Sequence, residues 1–381
     1  MAMHKQKREL SEYNAIQDAV LFTRIRLARN LPGIPFPHAQ SIEDSEAVIS
    51  AFEKFVSLQN HSECTFVRIN SLDSLEKRFL REQSLISAEM EFSNKSAVLY
   101  SKVGDFAVQI NGDDHICIQV TKTGLVLPAV LERANEIDDE INSCCSYAFS
   151  PNLGYLTACP SNLGTGLYSG IMMHLPALTA KKAIPSVSQK LRNAGATLSG
   201  SIGSTGKSPG CIYVISNKPF LGVSETDITE RMDSIIASVV NAEDGARDSL
   251  LSSSKLETQD SVLRSYGLLK YACKMSYIEA LEHLSNMRLG IILGLLNIKD
   301  INLKTIDSLM LNCQWVHLQK MSGRIFQTSE EGDKVRAEVL RGVFNSSFNE
   351  NLTSAVIGGA LDLTCNAPEK KRKIKGGKKD V

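Results

Sequence analysis

Two arginines sit two residues apart in the run Thr23-Arg24-Ile25-Arg26. Side chains alternate between the faces of a β-strand, so on a strand these two guanidinium groups project side by side. A guanidinium keeps its charge and offers a planar fork of donors matched to phosphate oxygens, so such a pair has the geometry of an anion clamp. A second cluster, Asn111-Gly112-Asp113-Asp114, combines an Asn-Gly turn signal with two carboxylates at its tip. Carboxylates in that position can orient a cation and draw off one of its protons. A third run, Ser201-Ile202-Gly203-Ser204-Thr205-Gly206-Lys207-Ser208, nearly spells a phosphate-binding P-loop. It fails where Ser201 replaces the first glycine and where Pro209-Gly210 follows in place of a helix start. Lys207 and the nearby backbone amides can still attract an anion.

These residues need elements to hold them. Ala97 to Tyr100 and Phe106 to Ile110 read as short strands, and Ile116, Ile118 and Val120 alternate with Cys117 and Gln119 in strand periodicity. The Asn-Gly cluster therefore caps a hairpin. Leu127, Val130, Leu131, Ala134, Ile137 and Ile141 follow at helical spacing, and Ile212 to Ile215 form another strand. Ser224 with Asp227 opens a helix whose buried stripe is Ile228, Met232, Ile235, Ile236, Val239 and Val240. From about residue 245 the β-branched runs, glycines and prolines thin out and the apolar period is helical through Leu309. The expected organisation is α+β: an N-terminal segment over 1–18, a mixed region over 19–244, an all-helical domain over 245–360 and a basic tail over 361–381. The last stretch, Pro368 to Val381, is rich in lysine and has almost nothing to bury, so it is expected to be a disordered tail.

The 381 residues allow two or three domains. Lys and Arg number 42 against 42 Asp and Glu, so no net field draws the chain toward nucleic acid or membrane, and the tail alone is weak support for a nucleic-acid binder. The nine cysteines, Cys64, Cys117, Cys144, Cys145, Cys159, Cys211, Cys273, Cys313 and Cys365, are odd in number, scattered and free of any CxxC, which points to neither a disulfide framework nor a zinc site. No segment is long and apolar enough to span a bilayer, and MAMHKQKREL lacks the apolar core of a signal peptide, so a reducing, cytoplasmic setting is expected.

Three segments together resemble the guanidino-group phosphotransferases, the family of creatine, arginine and protein-arginine kinases. They are Thr23-Arg24-Ile25-Arg26-Leu27-Ala28-Arg29-Asn30, then Asn111-Gly112-Asp113-Asp114-His115-Ile116-Cys117-Ile118-Gln119, similar to a NEEDHxRI(Q) loop, and then Gly154-Tyr155-Leu156-Thr157 through Cys159-Pro160-Ser161-Asn162-Leu163-Gly164-Thr165-Gly166-Leu167 to Met173-His174-Leu175-Pro176. Weaker similarity continues through Ile215-Ser216-Asn217, Arg264-Ser265-Tyr266-Gly267 and Arg288-Leu289-Gly290. Only 23 residues precede Arg24, too few for the helical N-terminal domain of the small-metabolite kinases. The chain carries a helical C-terminal region instead, the arrangement of the bacterial protein-arginine kinases.

The resemblance implies an antiparallel sheet flanked by helices, followed by a helical region able to form a homodimer. It implies ATP and Mg2+ as cofactors, a protein as substrate, and a zinc-binding activator protein and a Clp-type unfoldase as partners. Thr23, Arg24, Ile25 and Arg26 match the nucleotide-binding strand, Asp113 aligns with a catalytic glutamate, and Asp114 and His115 match the residues after it. Asp113 is one methylene, about 1.5 Å, shorter than glutamate. Other positions differ. Gly112 replaces a glutamate, and Cys117 stands where the loop has an arginine. Tyr168 replaces the arginine of GTGLRAS. Ser199 and Ser204 replace the arginine and glutamate of RGxxGE, and Ser84 stands at a nucleotide-site histidine. Cys159 aligns with a pocket thiol. Gly332-Asp333-Lys334-Val335-Arg336-Ala337 matches a phosphoarginine-recognising RDxxRA element at Asp333, Arg336 and Ala337, with Gly332 at its leading arginine. The expected function is phosphoryl transfer from ATP to arginine side chains, with impaired activity. The alternative is a pseudokinase serving as adaptor or regulatory subunit.

Overall fold

The computed structural model describes residues 16, 18–58, 63–200, 208–218, 222–298 and 301–345. Its organising element is β1 (Val20–Arg29), in which Thr23, Ile25 and Leu27 are buried while Phe22, Arg24 and Arg26 on the opposite face are half-buried. Strands β2 (Cys64–Arg68), β3 (Ala97–Ser101), β4 (Phe106–Ile110) and β5 (Ile116–Thr123) lie on one side of it. Two short strands follow, β6 (Phe149–Ser150) and β7 (Gly154–Tyr155), which pair with each other. On the other side of β1 lie β8 (Leu167–His174), β10 (Ile212–Asn217) and the edge strand β9 (Ala196–Gly200). The order is β2-β3-β4-β5-β1-β8-β10-β9, and every neighbouring pair is antiparallel. The hairpin, the strand near residue 212 and the strand before the Asn-Gly turn all fall where the sequence periodicity puts them.

One face of the sheet is an apolar core. Ile25, Leu27, Ile118, Val120, Ile171 and Ile215 pack there against α1 (Ile42–Leu58), α3 (Leu127–Asn142) and the first half of α6 (Glu225–Ser253). The buried stripes of α3 and α6 are the ones expected, and Ser224 and Asp227 form the capping box that starts α6. Among the described residues the other face is covered mainly at its two ends. Near β3, helix α2 (Ser74–Glu82) and the 84–90 segment bury Leu80, Leu85, Ile86 and Met90 against Val98, Tyr100 and Ala107. Two further helices, α4 (Pro176–Ala180) and α5 (Ile184–Ala194), connect β8 to β9.

At the other end stand α7 (Lys255–Tyr271), α8 (Tyr277–Ile292), α9 (Leu303–Asn312), α10 (Trp315–Ser322) and α11 (Ser329–Phe344). Their core of Leu281, Leu284, Met287, Leu309, Leu318 and Leu340 also takes in Ile212 and, at its margin, Met172 and Leu21 of the sheet. The change of texture near residue 245 has no break in the backbone: residue 244 lies inside the continuous α6, and the first interruption comes at Ser254. The N-terminal segment to residue 15 and the basic tail lie outside the described residues. Among the described residues no helix is long and apolar enough to cross a membrane.

The joint between sheet and helices is polar and buried. His174 Nε2 donates to Ser285 Oγ at 2.7 Å, and its Nδ1 accepts from Arg288 Nη1 at 3.2 Å. Arg288 also reaches Asp307 at 2.7 Å and the Asp18 carbonyl. Burial, together with the nearby Arg288 and Arg247 cations, holds the imidazole well below its ordinary value, so His174 is neutral in the fold. The unfolded chain takes up this proton below about pH 6.5 and the folded chain does not, so the joint is at full strength above that pH and weakens below it. In urea unfolding between pH 6.5 and 5, His174→Gln is expected to reduce the loss of stability by up to roughly 1.4 kcal/mol per pH unit. An unchanged pH slope would show that the histidine is not held neutral.

Candidate active site

Between its two covered ends, the sheet presents an open floor. Its centre is the Arg24–Arg26 pair, projecting from β1 as the alternation requires. Register sets their neighbours: Arg24 lies opposite Thr121 and Gly170, and Arg26 opposite Gln119 and Tyr168. Each guanidinium spends its Nε on a neutral side chain. Arg24 donates to Thr121 Oγ1 at 3.2 Å and Arg26 to Gln119 Oε1 at 2.8 Å. Neither has a carboxylate partner among the described residues, and the terminal nitrogens of both are left over. Burial and the repulsion of Arg26 push the Arg24 guanidinium down to about 9. The floor thus holds uncompensated positive charge, which an anion would relieve.

The surrounding side chains are fixed to backbone. Gln119 passes its Nε2 hydrogen to the carbonyl of Ser84 at 2.8 Å, and Gln109 binds the carbonyl of Leu85 at 3.0 Å. This brings the Ser84 turn, a left-handed residue with φ of 59°, over the floor beside Arg26. Cys117 shares the floor, and burial pushes its thiol up to about 11, so it is protonated and no nucleophile. The turn is walled by the helical region. The Glu82 carboxylate accepts from the first amides of α10, Val316 at 3.1 Å and His317 at 3.2 Å, and meets His317 Nδ1 at 2.8 Å.

The two aspartates of the hairpin tip have separate lives. Asp113 is exposed at the rim, and its carboxyl is pushed up by desolvation and by the negative charges of Glu89 and Asp114, with Arg26 opposing them. Asp114 is buried, and its Oδ1 accepts from Asn30 Nδ2 and from the Ala158 amide, both at 2.7 Å. Through Oδ1 this carboxylate ties the hairpin tip to Asn30 at the end of β1 and to the Ala158 loop. His115 is structural in the same way, accepting from the Leu31 amide at Nδ1 and donating from Nε2 to the Pro35 carbonyl. The Ala158 contact also carries the exposed Cys159 to the hairpin side of the rim. A Cβ added at Gly112 would lie 3.3 Å from Met90 Sδ, so a longer side chain there would need Met90 to shift by a few tenths of an ångström.

Residues 45–246 match the family model described as ATP:guanido phosphotransferase, C-terminal catalytic domain, and residues 255–355 match the protein-arginine kinase McsB C-terminal domain. The protein-arginine kinase of Clostridium acetobutylicum is 34% identical over 83% of this chain and 94% of its own length. That of Bacillus subtilis is 38% identical over 85% of this chain and 89% of its own. The chain belongs to the protein-arginine kinase family. Among solved structures, the duplicated taurocyamine kinase from Schistosoma mansoni with bound transition-state analogue components aligns with a TM-score of 0.54 and 25% identity, over 60% of this chain and 33% of that one. Lombricine kinase aligns with a TM-score of 0.55 at 20% identity, over 61% of this chain and 68% of that one, a likeness of fold.

The remaining positions are not all gathered on the floor. Thr23 and Ile25 point into the protein, and Thr23 Oγ1 donates to the Gly124 carbonyl at 2.6 Å, so of the nucleotide-strand residues only the arginines face the cleft. Tyr168 stands beside Arg26 on the floor. Ser199 is exposed on edge strand β9, three strands and about 14 Å from β1. Lys207 and Ser204 lie outside the described residues. In the helical region, Arg336 is buried and committed, with Nε to the Cys313 carbonyl at 2.8 Å and Nη1 to the Met275 carbonyl and Asp333 at 2.9 and 2.7 Å. A Cβ on Gly332 would fall 2.5 Å from the Trp315 ring. Asp333 and Arg336 are thus tied into the helix core, and Gly332 is closely packed against Trp315.

Sequence reasoning missed Gln119 and Thr121 as the holders of the two arginines, Ser84 O as the anchor of Gln119, and Asn30 as the partner of Asp114. The first two were findable: once the hairpin is paired with β1, they are the cross-strand neighbours. The different burial of the aspartates yields a test. Asp114→Ala strands two donors and is expected to cost about 1.5–3 kcal/mol in urea unfolding. Asp113→Asn is expected to change stability by less than about 0.5 kcal/mol. Equal costs would overturn the division of roles.

Proposed function

We propose that the floor binds the phosphates of ATP and that the protein is a protein-arginine kinase whose phosphoryl transfer is strongly impaired. The observation that carries this reading is the Arg24–Arg26 pair, two adjacent guanidinium groups with unspent donors and, among the described residues, no salt-bridge partner, near the exposed Asp113 carboxylate. The residues present fit a phosphate group, because forked donors without a carboxylate partner are what its oxygens require. Magnesium, when bound with the nucleotide, supplies further neutralisation of phosphate charge.

In the transfer this site would support, a guanidinium nitrogen of a protein arginine attacks the terminal phosphorus. The N–P bond forms, the bridging P–O bond to ADP breaks, and the proton lost by the nitrogen goes to Asp113. The raised affinity of Asp113 for a proton suits a base, and Arg26 nearby opposes the rise. What the floor lacks is charge. Where related sites have guanidinium groups, Cys117 and Tyr168 are neutral and Ser199 lies at the edge. Each missing charge-stabilising donor costs about 3–4 kcal/mol of barrier, and such losses are not additive.

The second reading, a pseudokinase retained as adaptor or regulatory subunit, is favoured by the closed Gly332–Trp315 contact. There the position of the resemblance's second phosphate-recognising element packs against a tryptophan ring.

Calorimetric titration with Mg-ATP, run beside an assay for acid-labile phosphate on an arginine-rich protein, separates the two. Binding is expected for the wild type and is expected to vanish in Arg24→Gln/Arg26→Gln. Slow phosphoarginine formation that disappears in Asp113→Asn would support the impaired kinase. Binding without any transfer would favour the adaptor. No binding at millimolar nucleotide would end the clamp reading.

A further inference from the structure

Gly170 sits in the middle of β8, a central strand, where glycine weakens the strand and commonly marks the close approach of another group. Its backbone is not left-handed, so no turn or strain requires glycine there. The group that approaches is the side chain of Tyr168, two residues back on the same face. A Cβ built on Gly170 would lie 3.3 Å from Tyr168 Cε1 and 3.8 Å from its hydroxyl oxygen. The phenol is therefore laid along its own strand, over Gly170. Since Gly170 is the cross-strand partner of Arg24 while Tyr168 itself is opposite Arg26, the hydroxyl is carried from the level of one arginine toward the other. Among the described residues this hydroxyl has no hydrogen-bond partner. A phenol donor and the leftover nitrogens of two guanidinium groups lie on one face of the sheet, and among the described residues no acceptor is supplied to them.

We propose that Tyr168 is a phosphate-binding residue, its hydroxyl donating to an oxygen of the bound phosphoryl chain, and that Gly170 is a positioning residue that makes room for the ring. The two positions form one unit. The tyrosine supplies a neutral third donor, and the glycine sets where that donor points. A neutral donor leaves the patch with two positive charges where the GTGLRAS pattern would supply three. This rests on the clamp reading above and adds to it the residue that completes the phosphate contacts.

The test is calorimetric binding of Mg-ATP and, separately, of inorganic pyrophosphate, to the full chain and to Tyr168→Phe and Gly170→Val. Phenylalanine keeps the ring and deletes only the donor. Valine leaves the phenol intact and pushes it off its seat, and it suits a strand. Both are expected to weaken both probes by roughly tenfold, the loss of one hydrogen bond to a charged group. The double variant is expected to be no weaker than either single one, because both remove the same contact. Melting temperatures near that of the wild type would confirm that the variants fold. If Tyr168→Phe binds within about twofold of the wild type while Arg24→Gln/Arg26→Gln does not bind, the tyrosine is not a ligand and the clamp reading stands. If the wild type binds neither probe, both ideas fall together.

Discussion

The geometry of the whole cleft hangs on the guanidinium of Arg29. It is almost fully buried, grips the Asp138 carboxylate through Nε at 3.0 Å and Nη2 at 2.6 Å, and gives Nη1 to the carbonyls of Ala28 and Thr165. Its plane lies 3.6 Å from the Tyr155 ring centroid. One side chain therefore ties the end of β1 to α3, to the Gly164–Gly166 loop and to the β6–β7 hairpin. A buried ion pair is no guarantee of stability, because desolvation offsets much of its attraction. What it supplies here is orientation. The next residue, Asn30, can reach Asp114 Oδ1 and the His115 amide only if the strand end is held in this place. The rim that carries Asp113 is in turn held by those contacts.

The same region explains why motif likeness can outlast catalytic residues. A side chain at Gly166 would come within 2.6 Å of the Ala28 carbonyl and 2.8 Å of Arg29 Nη1, and one at Gly154 within 2.3 Å of the Gly164 carbonyl. Both glycines also have positive φ. They are required by the packing around Arg29 whether or not phosphate is ever transferred. Likeness in this loop is thus a statement about fold, whereas Cys117 and Tyr168 lie on the face of the sheet that carries Arg24 and Arg26, away from the packing around Arg29.

Much of this was legible from the chain itself. A short β run placed β4, period-two alternation placed β5, the Asn-Gly pair placed the turn, and the capping box at Ser224 placed the start of α6. The side-by-side arginines followed from the alternation of β1 alone. Other features were out of reach because they depend on through-space neighbours. Asp113 and Asp114 are adjacent carboxylates in sequence, and only the approach of Asn30 and Ala158 distinguishes the exposed one from the buried one. Gly332 reads as a lost arginine until Trp315 is seen lying on it. The switch to helical texture near residue 245 was visible, yet a change in composition does not break a helix, and α6 runs through it.

That continuity has a mechanical meaning. A helix of 29 residues is about 43 Å long. Its first half is set in the core of the sheet. Further along, the buried Glu243 carboxylate accepts from the Ala177 and Leu178 amides at 2.9 Å and pins the rod to α4. Such a rod acts as a lever with its fulcrum off-centre. A tilt of about 10° at the embedded end would carry the far end by roughly 7 Å, so a load applied to the helical region is geared down into small, forceful displacements of the strands beneath the cleft.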